Sequence, residues 1–416
     1  MNISRLVATA TVTAGALVLS ACGSGGPGGA DGEFTDDKIV LAVLNDASGV
    51  YKDLSGPNSV VAVEMAVADF KEEYGDDAVV EEIEVTSADH QNKPDVANTK
   101  AQELYDREGA DVILDVPTSS AALAVATQAA EKKKLFIDIG AGTTALTNDQ
   151  CNKYTFHWAY DTYQLANTTG KTVTENGGTD WQIIYPDYAF GQDMDKSFTA
   201  AVEEAGGTVG DHVATPFPND NFTTFLTRAA SAEPDVIGTM QAGGDLINLV
   251  KQYNEGGYAA QGIDLAVGLM FITDIHSLGV EAFEGVNFAE AWYWNFDEEN
   301  RAWADRFMEE TGTRPSFAHA ANYSAALQYL KAVQEEGTDD ADAVVANFEG
   351  KEIEDVFLRN GQIRAEDHRV IHDVYLAQVK SPDQVEEEWD YEEILNTIPA
   401  EDAFMPLEQS TCSMGD

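Results

Sequence analysis

Basic side chains are scarce in this sequence: 24 lysines and arginines stand against 73 aspartates and glutamates in 416 residues, a formal net charge of −49. That balance excludes nucleic acid as a partner, because such a surface repels phosphates over a Debye length. Histidine is also rare, and its seven copies are scattered without metal-ligand spacing. Neither a G-x-S-x-G elbow nor an H-E-x-x-H motif occurs. With no nucleophile, base or metal cluster in view, the expectation is a protein that is not an enzyme and needs neither metal nor cofactor. Long apolar runs are missing too, apart from residues 6–19, which are too short to span a bilayer comfortably. The acids are spread along the chain, in pairs such as Glu81-Glu82 and Asp339-Asp340, as expected of solvated faces.

What the first residues do contain is an export signal. Arg5 supplies the positive start, residues 6–19 the uncharged apolar core, and Ser20-Ala21 the small residues a signal peptidase requires. Leu19-Ser20-Ala21-Cys22 resembles a bacterial lipobox, which implies removal of residues 1–21 and lipidation of Cys22. Residues 23–32, rich in Gly and Ser, read as a flexible tether. The protein is therefore expected outside the cytoplasm, held on the membrane through Cys22. Only three cysteines are present, so lipidation leaves Cys151 and Cys412, an even number in an oxidising compartment. A disulfide between them is expected, two buried free thiols being the alternative.

From residue 38 short apolar runs alternate with amphipathic ones. Strands are expected at 38–44, 82–88, 111–116 and 135–139, with helices at 59–75, 94–109 and 119–134. A second set of strands follows at 181–186, 207–216, 235–240 and 264–269, interleaved with helices near 189–205, 221–231 and 244–254. Two long helices, 298–311 and 318–336, and a late strand within 368–380 complete the pattern. Such β-α alternation predicts an α/β protein of two Rossmann-like lobes with parallel sheets.

Two glycine motifs mimic phosphate sites. "LANTTGKT" (165–172) has a leucine where the first glycine of a phosphate loop must turn. "GAGTTA" (140–145) has dinucleotide-type spacing, but only about ten residues separate it from the next strand-like run, too few for a crossover helix. These turns offer hydrogen-bond donors instead. "DVPTSSAALAV" (115–125) runs from a strand into Ser119-Ser120 at a helix start, and the missing side chains of "GAGTT" (140–144) let a ligand approach the backbone. Both lie at carboxyl ends of parallel strands, the edge where open α/β sheets bind ligands.

Four stretches, "NDASGVYKDLSGPN" (45–58), "ADHQNKPDVANTKAQEL" (88–104), "DYAFGQDM" (187–194) and "NDNFTTFLTRAASAEPDVI" (219–237), together resemble the branched-chain amino-acid (Leu/Ile/Val-binding) type of extracytoplasmic solute-binding protein of ABC importers. The likeness extends over about residues 36–380. It implies a type I periplasmic-binding fold, with lobe 1 at 36–156 plus 290–367, lobe 2 at 157–289 plus 368–390, a three-crossover hinge and a C-terminal tail at 391–416. It also implies a monomer that delivers a small solute to permease subunits. The ligand carboxylate would be gripped by Ser119, Ser120, Ala141, Gly142 and Thr143, and covered by Tyr51. Phe190 and the 271–279 loop would close from the second lobe. Amino-acid binders of this type carry a glutamate in a G-P-E-like turn; here "FITD" stands there, and Asp274 is the candidate partner for a ligand ammonium. Aromatic side chains cluster at two expected crossovers, Trp158, Tyr160 and Tyr163 at one and Trp292, Tyr293 and Trp294 at the other. Of these, Tyr160 and Tyr163 are the candidates to stack on an aromatic or organic acid. A sensing receptor of the same fold, or a binder of an amide or urea-like solute, are the alternatives.

Overall fold

The computed structural model describes residues 34–35 and 37–414. The export signal, Cys22 and the glycine tether lie outside these residues. Five parallel strands, β1 (Lys38–Asn45), β2 (Glu82–Asp89), β3 (Val112–Asp115), β4 (Leu135–Asp138) and β5 (Thr155–His157), form a sheet in the order β2-β1-β3-β4-β5. β3 and β4 are buried throughout, as their unbroken apolar runs require in a sheet covered on both faces. The intervening helices are α1 (Asn58–Tyr74), α2 (Pro94–Arg107) and α3 (Ser119–Lys132). Where "GAGTTA" mimics a nucleotide motif, a single 3-10 turn, Thr144–Thr147, leads to β5 without a helix. No helix N-terminus is therefore available there for a pyrophosphate.

The second lobe opens with α4 (Thr162–Leu165) and α5 (Lys171–Glu175), joined by a π-helical turn at Ala166–Gly170 that absorbs most of the false phosphate loop. Its sheet contains β6 (Asp180–Pro186), β7 (Thr208–Thr215), β8 (Val236–Thr239) and β9 (Asp264–Val267), parallel in the order β7-β6-β8-β9. Helices α6 (Ala189–Glu204), α7 (Thr223–Ala230), α8 (Gly243–Gly256) and α9 (Ile272–Leu278) connect or follow these strands.

The chain leaves the first sheet after β5, returns after β10 (Asn287–Glu290), and crosses again between β13 (Val370–Ile371) and β14 (Val374–Val379). On its return it forms α10 (Glu298–Thr311), α11 (Phe317–Glu336), α12 (Ala341–Phe348), and an antiparallel sheet of β11 (Glu352–Ile353), β12 (Gly361–Ile363) and β13. α11 is apolar around most of its circumference and is buried along nearly its whole length.

Two expectations are corrected. The strand expected within 368–380 is broken at His372-Asp373, because this stretch is itself a crossover, with β13 on one side and β14 on the other. Residues 392–398, within the segment set aside as a tail, form β15 (Glu392–Ile398), antiparallel to β14. β10, β14 and β15 make one sheet, and Phe288, Ala377 and Val379 share a core with Leu246, Val250, Val267 and Met270 of the second lobe. The expected disulfide is present: Cys151 and Cys412 are bonded.

Candidate ligand-binding cleft

Strand register sets the floor of the cleft. Leu44, Asp115, Asp138 and His157 sit side by side at the carboxyl ends of β1, β3, β4 and β5. Beyond them the chain turns sharply: Asp115 and Val116 hold φ of 82° and 62°. A β-branched residue with positive φ is strained, and the surroundings must over-determine it. Here the Val116 N–H donates to the Leu44 carbonyl, while the Asp115 carbonyl accepts from the N–H groups of Ile139 and Gly140 (3.1 and 3.3 Å). The two donor turns are thereby fastened to each other. They are so close that a Cβ on Gly140 would lie 2.6 Å from Pro117 Cα.

This packing leaves donors without partners. Ser119 is the first residue of α3, is 1% exposed, and its Oγ has no hydrogen-bond partner. The backbone N–H groups of Gly142 and Thr143 also take no partner among the described residues. Other groups of the same turn are committed. The Ala141 carbonyl accepts from His157 Nε2 (2.8 Å), the Gly140 carbonyl from the Tyr160 hydroxyl (2.6 Å), and Thr143 Oγ1 from the Ala145 N–H (3.3 Å). The Thr144 N–H goes to Asp193 of α6 (2.7 Å), a contact that brings the second lobe against this turn. Ser120 is half-buried beside Ser119.

Burial reduces the negative charge of the row beneath the turn. Burial pushes the Asp115 carboxyl up to about 7, and burial with neighbouring Asp115 raises Asp138 well above the carboxylate range. Burial, then Arg369, lowers His157 to about 3, so its ring is neutral and its Nε2–H is free to donate to Ala141. An anion over Gly142 and Thr143 would meet N–H dipoles near Asp138, held protonated, and Asp115, about half protonated at neutral pH.

The opposite wall is aromatic. The loop from Asp46 to Pro57 is shaped by the Asp46 carboxylate, which accepts the N–H groups of Gly49 (2.7 Å) and Tyr51 (2.9 Å). It is docked by His319 of α11, whose Nε2 reaches the Ser55 carbonyl (2.8 Å). This loop carries Tyr51 across to the second lobe, where its hydroxyl meets that of Tyr188 (2.5 Å) and the Val50 carbonyl accepts from Gly244 N–H (2.9 Å) at the start of α8. The lobes are thus closed on each other. Phe190 lies against the donor turn, since a Cβ on Gly142 would be 2.9 Å from its ring and 3.0 Å from that of Tyr160. Tyr188 stacks on Phe217 (4.3 Å between centroids), which also faces Tyr51 (5.5 Å). Phe317 stacks on Phe271 (4.4 Å) and meets Tyr160 edge-on (5.4 Å).

Gly142, Tyr160 and Phe190 are packed together, Tyr51 reaches them through Tyr188, Ala141 and Thr143 flank Gly142 in the same turn, and Ser119 opens α3 two residues after Pro117, which packs on Gly140. Tyr163 stands apart; half-buried, it lines a separate cavity of about 300 Å³ with Thr144, Ser197 and Met405. Trp158, Trp292 and Trp294 direct their indole N–H groups to Ser324, Val356 and Trp389, into packing rather than toward the donor turn. Sequence reasoning did not single out Tyr188, Phe217, Phe271 and Phe317. Tyr188 stood within the quoted "DYAFGQDM", and Phe271 opens "FITD". The other two depend on how distant segments converge.

Asp274 is 1% exposed, and its Oδ2 accepts the Phe271 N–H (3.0 Å) at the start of α9. Burial pushes its carboxyl up to about 7. The unfolded chain ionises near 4, so between about pH 4 and 7 the folded state binds more protons and this residue's contribution to stability falls as pH rises. Asp274→Asn retains an acceptor for the cap and removes the titration. Its melting temperature should exceed that of the unaltered protein at pH 8.5, by a margin that shrinks steadily as the pH is lowered toward 4. A variant less stable at pH 8.5 would show that the ionised carboxylate is needed.

A family profile described as periplasmic binding protein matches residues 38–384. A Leu/Ile/Val-binding protein homolog 6 from Brucella melitensis biotype 1 is 24% identical over 354 residues, covering 83% of this chain and 89% of the relative. A crystal structure of a periplasmic binding protein from Burkholderia mallei superposes with a TM-score of 0.87 at 41% identity, covering 91% of this chain and all of the other. A branched-chain amino acid ABC transporter periplasmic ligand-binding protein from Burkholderia xenovorans LB400 gives 0.80 at 34% identity, covering 90% and 99%.

Proposed function

The chain belongs to the periplasmic binding protein family and is a solute-binding protein of an ABC import system, not an enzyme; from that premise we propose that its cleft captures a small aromatic carboxylate. The observation that carries this reading is a single juxtaposition. The partnerless Ser119 Oγ and the N–H groups of Gly142 and Thr143 lie on the turns that follow β3 and β4, the Tyr160 and Phe190 rings pack against Gly142, and Tyr51 reaches across to Tyr188 of the second lobe. Donors of this kind hold a carboxylate, and flat rings hold a flat apolar body. An ammonium group is less well provided for, since one oxygen of Asp274 already caps α9. Tyr51, Ala141, Tyr160 and Phe190 complete the enclosure, and closure of the second lobe is biased by contacts made to both halves. Ser120 and Tyr163 lie at its margin. The lobes are taken to divide as 36–156 plus 290–367 and 157–289 plus 368–390, and the closed monomer is presented to permease subunits. Cys22, lipidated, holds the receptor at the membrane, and residues 23–32 give it reach.

Ser119→Ala tests the assignment of the donors. Binding of the tightest aromatic acid, followed by thermal shift, should weaken by about tenfold or more, the loss of one hydrogen bond to a charged group. Unchanged affinity would place the carboxylate elsewhere.

A further inference from the structure

After β15 the chain does not end on the second lobe. It runs back along the hinge through α13 (Ala400–Ala403), and each step is held. The Ala400 N–H donates to Asp373 Oδ1 (3.3 Å) at the third crossover, and Asn167 Nδ2 donates to the Asp402 carbonyl (2.6 Å) in the π-helical turn's neighbourhood. Phe404, 2% exposed, lies under the Arg369 guanidinium (4.4 Å from its centroid) and beside the His372 ring (5.3 Å). Arg364 Nη1 then donates to the Met405 carbonyl (2.7 Å), and the Thr411 N–H to Asn148 Oδ1 (3.1 Å). Finally Cys412 is bonded to Cys151, which lies between the donor turn and β5 of the first lobe.

The groups beneath Phe404 are those that join two of the crossovers. Arg369 Nε donates to Asp161 Oδ2 (2.8 Å) and its Nη1 to the His157 carbonyl, while His372 Nε2 meets the Ala159 carbonyl (2.7 Å). We propose that residues 399–412 form a covalently fastened strap across the hinge, restraining the opening of the lobes by sealing the Arg369–Asp161 joint between the first and third crossovers. The disulfide alone would leave slack, since the span from Ile398 to Cys412 could reach roughly 45 Å if extended. What makes the strap short is the seating of Phe404. The disulfide keeps that seat occupied by holding the segment at high effective concentration.

Hydrogen exchange read by mass spectrometry on the intact protein tests this without a ligand. In Cys151→Ser/Cys412→Ser, amides of residues 158–162 and 371–374 should exchange about tenfold faster or more, while β1 and β6 keep their protection. If that double variant fails to fold, Phe404→Ala with the disulfide intact carries the test and should show the same confined acceleration. Unchanged exchange at the crossovers would overturn the proposal. So would acceleration spread equally through β1 and β6 in Phe404→Ala, which would make the strap a general part of the fold.

Discussion

Arg369→Met is expected to lower the free energy of unfolding by about 3–5 kcal/mol, the range for removing one partner of a buried ion pair. Arg369 is 1% exposed, and its partner Asp161 is 3% exposed. Methionine keeps the length of the aliphatic stem but not the guanidinium over Phe404, and the larger part of the loss comes from the Asp161 carboxylate left buried without its cation. One Asp161 oxygen would keep the Gln164 N–H (2.8 Å), which caps α4 and is too little to hold a buried charge. The companion variant Arg369→Met/Asp161→Asn should recover most of the loss, because a neutral amide can still cap the helix while no charge remains unpaired. Urea titration of the three proteins decides it. A single-variant loss under about 1 kcal/mol, the size of an exposed pair, would mean that water reaches this joint.

The second large effect concerns closure. Gly243 holds φ of 55°, and a Cβ there would lie 2.4 Å from the Val50 carbonyl oxygen and 3.1 Å from the Tyr51 ring, both on the other lobe. Gly243→Val should therefore keep the lobes apart. If the obstruction raises the closed state by about 3 kcal/mol, ligand affinity falls roughly a hundredfold. X-ray scattering should then show no contraction at ligand concentrations that saturate the unaltered protein. Backbone strain alone is controlled by Gly262→Val, where φ is 81° but nothing lies within 4 Å of the added Cβ. That variant should lose some stability and bind normally. Equal affinities for Gly243→Val and the unaltered protein would show that binding does not require this interlobe contact.

Much of the fold was legible because burial on both faces writes itself into composition. The runs 135–139 and 181–186 predicted β4 and β6 to within a residue at each end. Helix ends were equally readable where cap chemistry stands in sequence, as at α10, whose Asp297 accepts the Asn300 N–H (2.8 Å). The crossover at His372-Asp373 was not readable, because "HRVIHDVYLAQVK" has strand composition on both sides and nothing local marks the change of partner. β15 was hidden for another reason. Its residues, Glu-Glu-Ile-Leu-Asn-Thr-Ile, show no apolar–polar alternation, and only pairing with β14 distinguishes it from a solvated tail.

The cleft divides in the same way. Ser119, Gly142 and Thr143 could be proposed from sequence because donor turns at strand ends follow from strand order. The aromatic wall could not, since Phe217 and Phe317 are a hundred residues apart in sequence and meet Tyr51 and Tyr160 only through the tertiary arrangement. Asp274 shows the limit of residue type as a guide. The acid suggested by the family pattern is present, yet one of its oxygens caps the helix it begins.

Calorimetric titration against a matched panel decides whether this receptor takes a flat aromatic anion. The panel consists of benzoate, its ring-hydroxylated forms, phenylacetate, benzamide and leucine. At least one aromatic acid should saturate the protein with one-to-one stoichiometry, while benzamide, which has the ring without the charge, and leucine, which has the carboxylate without the ring, produce no saturable heat. Saturation by leucine with none by any aromatic acid would contradict the account and assign the cleft to an aliphatic amino acid.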